Sequence, residues 1–123
     1  MRVTITPGAA RGTVRVPTSK SIAHRALLAA ALANGTSTLA GVTPSQDIDA
    51  TCRATAALGA AVNALPGGQL QVTGTGALTA PTGPVDCGES GSTLRFVLPL
   101  FALTGSETTL TGHGRLPRRP QGV

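Results

Sequence analysis

Two stretches of this chain place a helix opening, hydroxyl groups and a guanidinium within a few residues of one another. The first is Ser19-Lys20-Ser21-Ile22-Ala23-His24-Arg25. The leading N–H groups of an α-helix have no acceptor inside the helix, and its dipole adds partial positive charge there. Lys20 and Ser21 flank that opening and Arg25 follows one turn later. An ammonium, a hydroxyl, a guanidinium and free amides therefore converge, which is chemistry for holding an anion. The plainer alternative is a capped helix with solvated bases, although like charges crowded round an empty site are mildly destabilising. His24 in this run suits packing or orienting better than proton transfer.

The second stretch is Gly88-Glu89-Ser90-Gly91-Ser92-Thr93-Leu94-Arg95. Its glycines let backbone amides come close to a ligand, Ser92 and Thr93 add hydroxyls, and Arg95 lies a turn inside. A third basic element is the turn carrying Arg115, Arg118 and Arg119. Together the three fit a small, doubly anionic ligand. Other site chemistries find little support. No Gly-Lys-Ser/Thr follows at Walker spacing, and no dinucleotide fingerprint or nucleophile elbow is present. The two histidines and two cysteines stand far apart, without CxxC or HxxxH, so no metal site is expected.

Charge agrees with an anionic partner. Ten basic residues against five acidic ones give +5, with an isoelectric point near 11.1. Nine of the ten are arginines, whose planar fork matches carboxylates and phosphates, and Lys20 is the one lysine. A small basic nucleic-acid-binding domain is the competing reading. It is weakened by scattered bases and by the lack of Trp and Tyr on which nucleobases could stack. An ordinary solvated surface is the third.

The elements that must position these groups follow from the pattern along the 123 residues. Val3 to Thr6 and Thr13 to Val16 read as short strands around the breaker Pro7-Gly8. Ser21 to Ala33 is an Ala/Leu helix with Asn34-Gly35 as a left-handed stop. Thr36 to Ala40 is a strand. Asp47 to Leu58 is a second helix, capped by Ser45 or Asp47 and ended by Gly59, with Asp49 and Arg53 paired one turn apart. Ala61 to Leu65 and Leu70 to Thr73 form a hairpin around Pro66-Gly67-Gly68. After a Gly/Thr/Ala/Pro connection, a third helix opens in the Gly88 to Thr93 stretch and runs to Leu103, bent at Pro99. Thr108 to Thr111 is a strand, and Pro120 looks like the first residue of another helix.

With 41% apolar residues and a mean hydropathy of +0.19, a packed core is within reach. Phe96 and Phe101 are its only large aromatics, so close packing of small-residue helices is expected. The longest apolar run, Ala26 to Ala33, is too short to cross a membrane, and the opening residues lack a signal peptide. Cys52 and Cys87 are then expected as free thiols in a cytoplasmic protein. An internal echo also stands out: Arg25 precedes Gly35 as Arg95 precedes Gly105, and Ser21 and Gly91 each sit four residues before their arginine. It suggests a strand–helix–strand–helix–strand–strand unit followed by half of another.

At these residues the chain resembles the 5-enolpyruvylshikimate-3-phosphate synthase family. The likeness rests on Lys20-Ser21-Ile22-Ala23-His24-Arg25-Ala26, on Asp86 through Phe96, and on Gly114-Arg115-Leu116-Pro117-Arg118-Arg119-Pro120, with support from Ser45 to Gly59. A related transferase acting on a UDP-sugar shares the fold but usually reads differently at the first block. The resemblance implies an α/β fold of βαβαββ units, helices inside and sheets outside, in two domains of three units each. Residues 1–12 would pair with the far domain, 13–74 would form the first unit, and 75–123 a linker with half of the second. The chain would then be the opening piece of a longer enzyme.

The resemblance also implies a reaction and its site. The family transfers the enolpyruvyl group of phosphoenolpyruvate to the 5-hydroxyl of shikimate 3-phosphate, through a tetrahedral intermediate that expels phosphate. By this likeness Lys20, Ser21 and Arg25 hold shikimate 3-phosphate, while Lys20, Gly91 and Arg119 hold phosphoenolpyruvate, Lys20 also counting as catalytic. Glu89, Ser92, Arg95 and Arg115 take supporting places. Where many bacterial members read Asn-Ala-Gly-Thr, this chain reads Glu89-Ser90-Gly91-Ser92, which leaves the contact at Glu89 in question. Gly91 leaves the space for glyphosate open without fixing sensitivity. No cofactor, metal, nucleic acid or membrane is implied, and the full-length enzyme would be a monomer. The principal acid and base groups come from later in the family's sequence, so this piece alone is expected to be inactive.

Overall fold

The computed structural model describes residues 1–120. Its first helix, α1 (Lys20–Leu32), is capped by Ser19, whose hydroxyl accepts from the Ile22 N–H at 3.5 Å. The helix ends at Ala33, which turns extended while its N–H still reaches the Ala29 carbonyl. The chain passes at once into strand β1 (Asn34–Leu39). Asn34-Gly35 is therefore the start of a strand and not a left-handed cap. Gly35 does use a positive φ, +107°, to make the corner.

Helix α2 (Gln46–Ala57) is capped by Ser45 through the Ile48 N–H, with Asp47 and Asp49 in its first turn where the helix dipole favours carboxylates. Strands β2 (Ala61–Leu65) and β3 (Gln69–Thr75) form the expected hairpin, with Gly67 and Gly68 both at positive φ in its turn. The sheet order is β1-β3-β2, antiparallel throughout. Val72, in the central strand, is fully buried and faces α1 and α2 with Val62 beside it. Gly74 of β3 lies directly against the end of α1. A Cβ there would overlap the carbonyl oxygens of Ala30, Ala31 and Ala33.

The second part is built on β4 (Val85–Asp86), helix α3 (Gly91–Ala102) and β5 (Leu110–Thr111). β4 and β5 run parallel, so α3 is the crossover of a βαβ unit. Pro99 stands inside α3 as expected, removing the N–H that would bond the Arg95 carbonyl. A short 3₁₀ turn, Leu116–Arg118, follows β5. The three α-helices pack together, α2 against both α1 and α3, and α1 more lightly against α3. Ala50 and Ala54 on α2 are fully buried, which lets the helices approach as the composition suggested. One apolar cluster joins α1, α2 and the three-stranded sheet. Another gathers Leu28, Leu58, Val85, Val97, Phe101 and Leu116.

Several sequence expectations are corrected. Neither Val3 to Thr6 nor Thr13 to Val16 is a strand. Their apolar side chains stay exposed, from 64% at Val3 to 86% at Ile5, because no sheet edge lies alongside them. Thr108 and Thr109 stay outside β5, which is shorter than read. Arg53 does not pair with Asp49. Its guanidinium lies 3.6 Å from Asp86 on β4, which packs against α2. The helix read beyond Pro120 lies outside the described residues. Cys52 and Cys87 are free thiols, as expected.

Candidate functional site

All three helices open on the same side, and a buried chain of hydroxyls ties their N-terminal halves together. His24 on α1 lies with its Nδ1 2.6 Å from the Thr51 hydroxyl on α2, and Thr51 lies 2.7 Å from the Thr93 hydroxyl on α3. Thr93 reaches on to the Ser90 hydroxyl at 2.7 Å, while its own N–H donates to the same oxygen at 3.1 Å. Both threonine hydroxyls also lie within bonding reach of the Asp47 carbonyl, at 3.2 and 3.3 Å. Thr51 and Thr93 are fully buried, and His24 and Ser90 nearly so. A buried polar group without a partner is costly, so a satisfied chain of this kind fixes the helices in one arrangement.

Burial depresses the pKa of His24 below its ordinary value of 6.5; Lys20 adds to the effect and the Asp47 carboxylate opposes it. The ring is therefore held toward its neutral form. That fits the expected orienting role. Burial also pushes both thiols up, so neither cysteine is a ready nucleophile.

Around this buried frame the sequence-predicted residues fall into two groups. On the α1 side, Lys20 Nζ lies 3.1 Å from Asp47 Oδ2, both groups being partly exposed. Ser21 is exposed at the helix opening. Arg25 is exposed too; its Nη1 donates to the Ser21 carbonyl at 3.3 Å and its guanidinium lies over the Phe96 ring, 5.2 Å from the centroid. Stacking on Phe96 of α3 links the two helices on their outer face, and the same ring meets His24 edge-on.

On the α3 side, Gly91 begins the helix beside Arg119. A Cβ on Gly91 would stand 3.1 Å from Arg119 Nη1, so the guanidinium and the first amides of α3 occupy one spot. Ser92 is exposed in the same turn. Arg119 is carried by the 3₁₀ turn, which Leu116, only 2% exposed, anchors in the core. Glu89 accepts a hydrogen bond from the Arg115 backbone N–H at 3.0 Å. Arg95 donates to the carbonyl of Pro120, the neighbour of Arg119, at 3.3 Å. Arg115 thus enters through its amide, and Arg95 serves the end of the turn.

Sequence reading missed Thr51 and the carboxylate of Asp47, and it took Thr93 for a hydroxyl near the ligand where the structure buries it between helices. A threonine carries no pattern that marks it as buried; only the packing of three helices does so. Asp47 had been read as a possible cap, a place that Ser45 takes. Among the described residues no group of His, Cys, Asp and Glu could hold a metal ion.

Comparison with known proteins places this geometry. A sequence model described as EPSP synthase (3-phosphoshikimate 1-carboxyvinyltransferase) matches residues 5–122. A 3-phosphoshikimate 1-carboxyvinyltransferase of Clostridium kluyveri is 43% identical over 121 residues, which cover 98% of this chain and 28% of that protein. One from Synechococcus sp. strain WH7803 is 44% identical over 117 residues, covering 92% and 27%. The solved EPSP synthase of Acinetobacter baumannii superposes with a TM-score of 0.80 at 29% identity, covering 89% of this chain and 25% of that one. The chain thus spans between a quarter and a third of these relatives, and none of the matches favours the nucleic-acid or UDP-sugar alternatives. The shared fold, the matched length and the arginine-bearing helix openings lead to one conclusion: this chain belongs to the EPSP synthase family.

Proposed function

We propose that the chain supplies the first substrate-binding portion of a 3-phosphoshikimate 1-carboxyvinyltransferase. In this reading Lys20, Ser21 and Arg25 bind shikimate 3-phosphate, and Lys20, Gly91 and Arg119 bind phosphoenolpyruvate. Each substrate carries a phosphate and a carboxylate, so bringing them together requires cations that offset their repulsion. Lys20 stands at the opening of α1 with its ammonium beside Asp47 of α2, and in this reading it serves both ligands and the reaction between them. Ser92 and Glu89 support the α3 opening, and Arg95 and Arg115 support the turn that carries Arg119.

Residues 13–74 correspond to the family's first βαβαββ unit, of which this structure forms the αβαββ part, and residues 75–123 to a linker with half of the second, with residues 1–12 left to pair elsewhere. The proton transfers of addition and elimination fall to groups outside this chain, which is therefore inactive by itself. The complete enzyme works as a monomer on these two small molecules. Among the described residues no helix is long and apolar enough to cross a membrane, and the unpaired thiols accord with a cytoplasmic setting.

The observation that carries this reading is the gathering of helix openings and guanidinium groups at one end of the packed helices. A hybrid enzyme tests it, with residues 1–120 of this chain replacing the matching segment of the Clostridium kluyveri relative. The hybrid should turn over both substrates. Lys20→Ala or Arg119→Ala should each lower its kcat/KM by about a hundredfold or more, the scale for removing one partner of a charged contact. Near-unchanged turnover in either variant would contradict the assignment.

A further inference from the structure

The third basic turn reaches the α3 opening through a set of contacts in which one acidic side chain stands out. The His113 N–H donates to the Gly88 carbonyl at 3.0 Å, which fixes where the chain arrives after β5. Leu116 then sinks into the apolar cluster and fixes the middle of the turn. Between them, Arg115 begins the 3₁₀ turn without a side-chain cap of its own. Its amide is instead received by Glu89 Oε1 at 3.0 Å, from the loop that opens α3.

Gly114 shows how closely the carboxylate is seated. It holds a φ of +60°, and a Cβ there would overlap the Glu89 carboxyl group. Glycine meets two needs at this position, the left-handed backbone and the space for Glu89. Glu89 itself is exposed at its edge, so this is not a buried ion held for want of water. Its carboxylate acts as an outside cap on a turn four residues before Arg119. The Arg119 guanidinium comes back across the start of α3, one residue beyond Ser90.

We propose that Glu89 is a positioning residue: by capping the Arg115 amide it sets the turn that brings Arg119 to Gly91, and so tunes the phosphoenolpyruvate side of the site. This rests on the function proposed above and names the ligand that Glu89 affects. It predicts a split between substrates. Loss of the cap displaces Arg119 and leaves Lys20, Ser21 and Arg25 where they were. A hydrogen bond to the turn is lost, an effect equivalent to about tenfold in binding.

The test uses the hybrid enzyme with Glu89→Ala, Glu89→Asp and Glu89→Gln. The glutamine keeps the length and the accepting oxygen; the aspartate is one methylene short. Ala and Asp should raise the KM for phosphoenolpyruvate about tenfold and leave that for shikimate 3-phosphate within about twofold, whereas Gln should stay near wild type. Equal changes for both substrates, or a Gln variant as impaired as Ala, would overturn the proposal. A readout independent of turnover is amide hydrogen exchange at Arg115 in the 123-residue chain. Exchange should quicken about tenfold in Ala and Asp and not in Gln, and equal exchange in all of them also overturns it. An inactive wild-type hybrid would remove the assigned reaction while Arg115 exchange still decided whether Glu89 is the cap.

Discussion

At the start of α3 the chain arrives from β4, which pairs in parallel with β5, and the opening is closed in by the turn that Leu116 anchors. At the start of α1 it arrives from residues with no strand, whose apolar side chains are exposed. Both openings carry a serine cap, Ser19 and Ser90, a small residue in the first turn, Ser21 and Gly91, and an arginine four residues beyond that. Yet Ser90 is 3% exposed and holds the Thr93 N–H at 3.1 Å, whereas Ser19 is exposed and its bond to the Ile22 N–H is 3.5 Å. The caps are also out of step with the echo. Ser19 precedes Arg25 by six residues and Ser90 precedes Arg95 by five. The same residue types can therefore be framed by their own βαβ unit or held mainly by neighbours, here through His24, Thr51 and the Lys20–Asp47 pair.

Removing the two caps should expose that difference most strongly. Ser90→Ala takes away the acceptor for the Thr93 N–H and a partner of the Thr93 hydroxyl, both buried. It should cost about 2 kcal/mol of stability, at the upper end for a cap. Ser19→Ala should cost about 0.5 kcal/mol, because a long, solvated bond is replaced by water. Urea unfolding of the chain and both variants measures this. Similar losses from the two would mean that the α3 opening is framed no better than that of α1.

The Gly91 position sharpens the comparison from the side of the ligand. A methyl group there stands 3.1 Å from the end of Arg119, a flexible partner that can give way, and 3.8 Å from Leu116. Gly91→Ala should therefore leave stability within about 0.5 kcal/mol while pushing the guanidinium off its place. In the hybrid enzyme the KM for phosphoenolpyruvate should rise about tenfold, since a misplaced charged contact is worth roughly that. The α1 residues should be untouched, so the KM for shikimate 3-phosphate should hold. A matching rise for both ligands would show that the two openings form one inseparable site.

The hydroxyl chain that joins the openings gives a dependence on pH. His24 has a pKa below 6.5 in the folded chain, so the unfolded chain takes up its proton first as the solution is acidified. Stability is unaffected by this group well above pH 6.5 and falls as pH drops through that value toward the lower folded pKa. Denaturant midpoints between pH 8 and pH 5 should show the decline, and His24→Gln should flatten the part due to this ring. An unchanged slope in that variant would place the titrating group elsewhere.

Much of the architecture could be read from residue order. Alanine and leucine at helical density announced α1, Ser45 announced the cap of α2, and Pro66-Gly67-Gly68 announced the hairpin. The misreadings share a cause. Val3 to Thr6 and Thr13 to Val16 have strand-like alternation, but a strand is defined by a partner, which local sequence does not supply. Arg53 was paired with Asp49 by helix spacing, and tertiary packing offered Asp86 instead. For the site, the lysine, serine and arginine positions were legible because charge near a helix start has a local physical meaning. Thr51 was not, and Thr93 was legible only as a hydroxyl of the opening, since a threonine becomes a bridge only when three helices meet.

The smallest effect concerns two ion pairs of similar exposure, which set structure apart from function. Lys20 and Asp47 lie 3.1 Å apart with side chains 56% and 38% exposed; Arg53 and Asp86 lie 3.6 Å apart at 53% and 51%. Exposed pairs of this kind contribute about 0.2–1 kcal/mol, because solvent screens them and ordering two long side chains costs entropy. Lys20→Gln and Arg53→Gln should therefore each shift stability by about 0.5 kcal/mol or less. Turnover of the hybrid enzyme should separate them completely, falling with Lys20→Gln and staying level with Arg53→Gln. Lys20 leans on Asp47 at little energetic gain, so an arriving phosphate or carboxylate can draw it away at little loss. If Lys20→Gln destabilised the chain by several kcal/mol, the ammonium would be part of the framework, and the activity lost with it would say nothing about ligand binding.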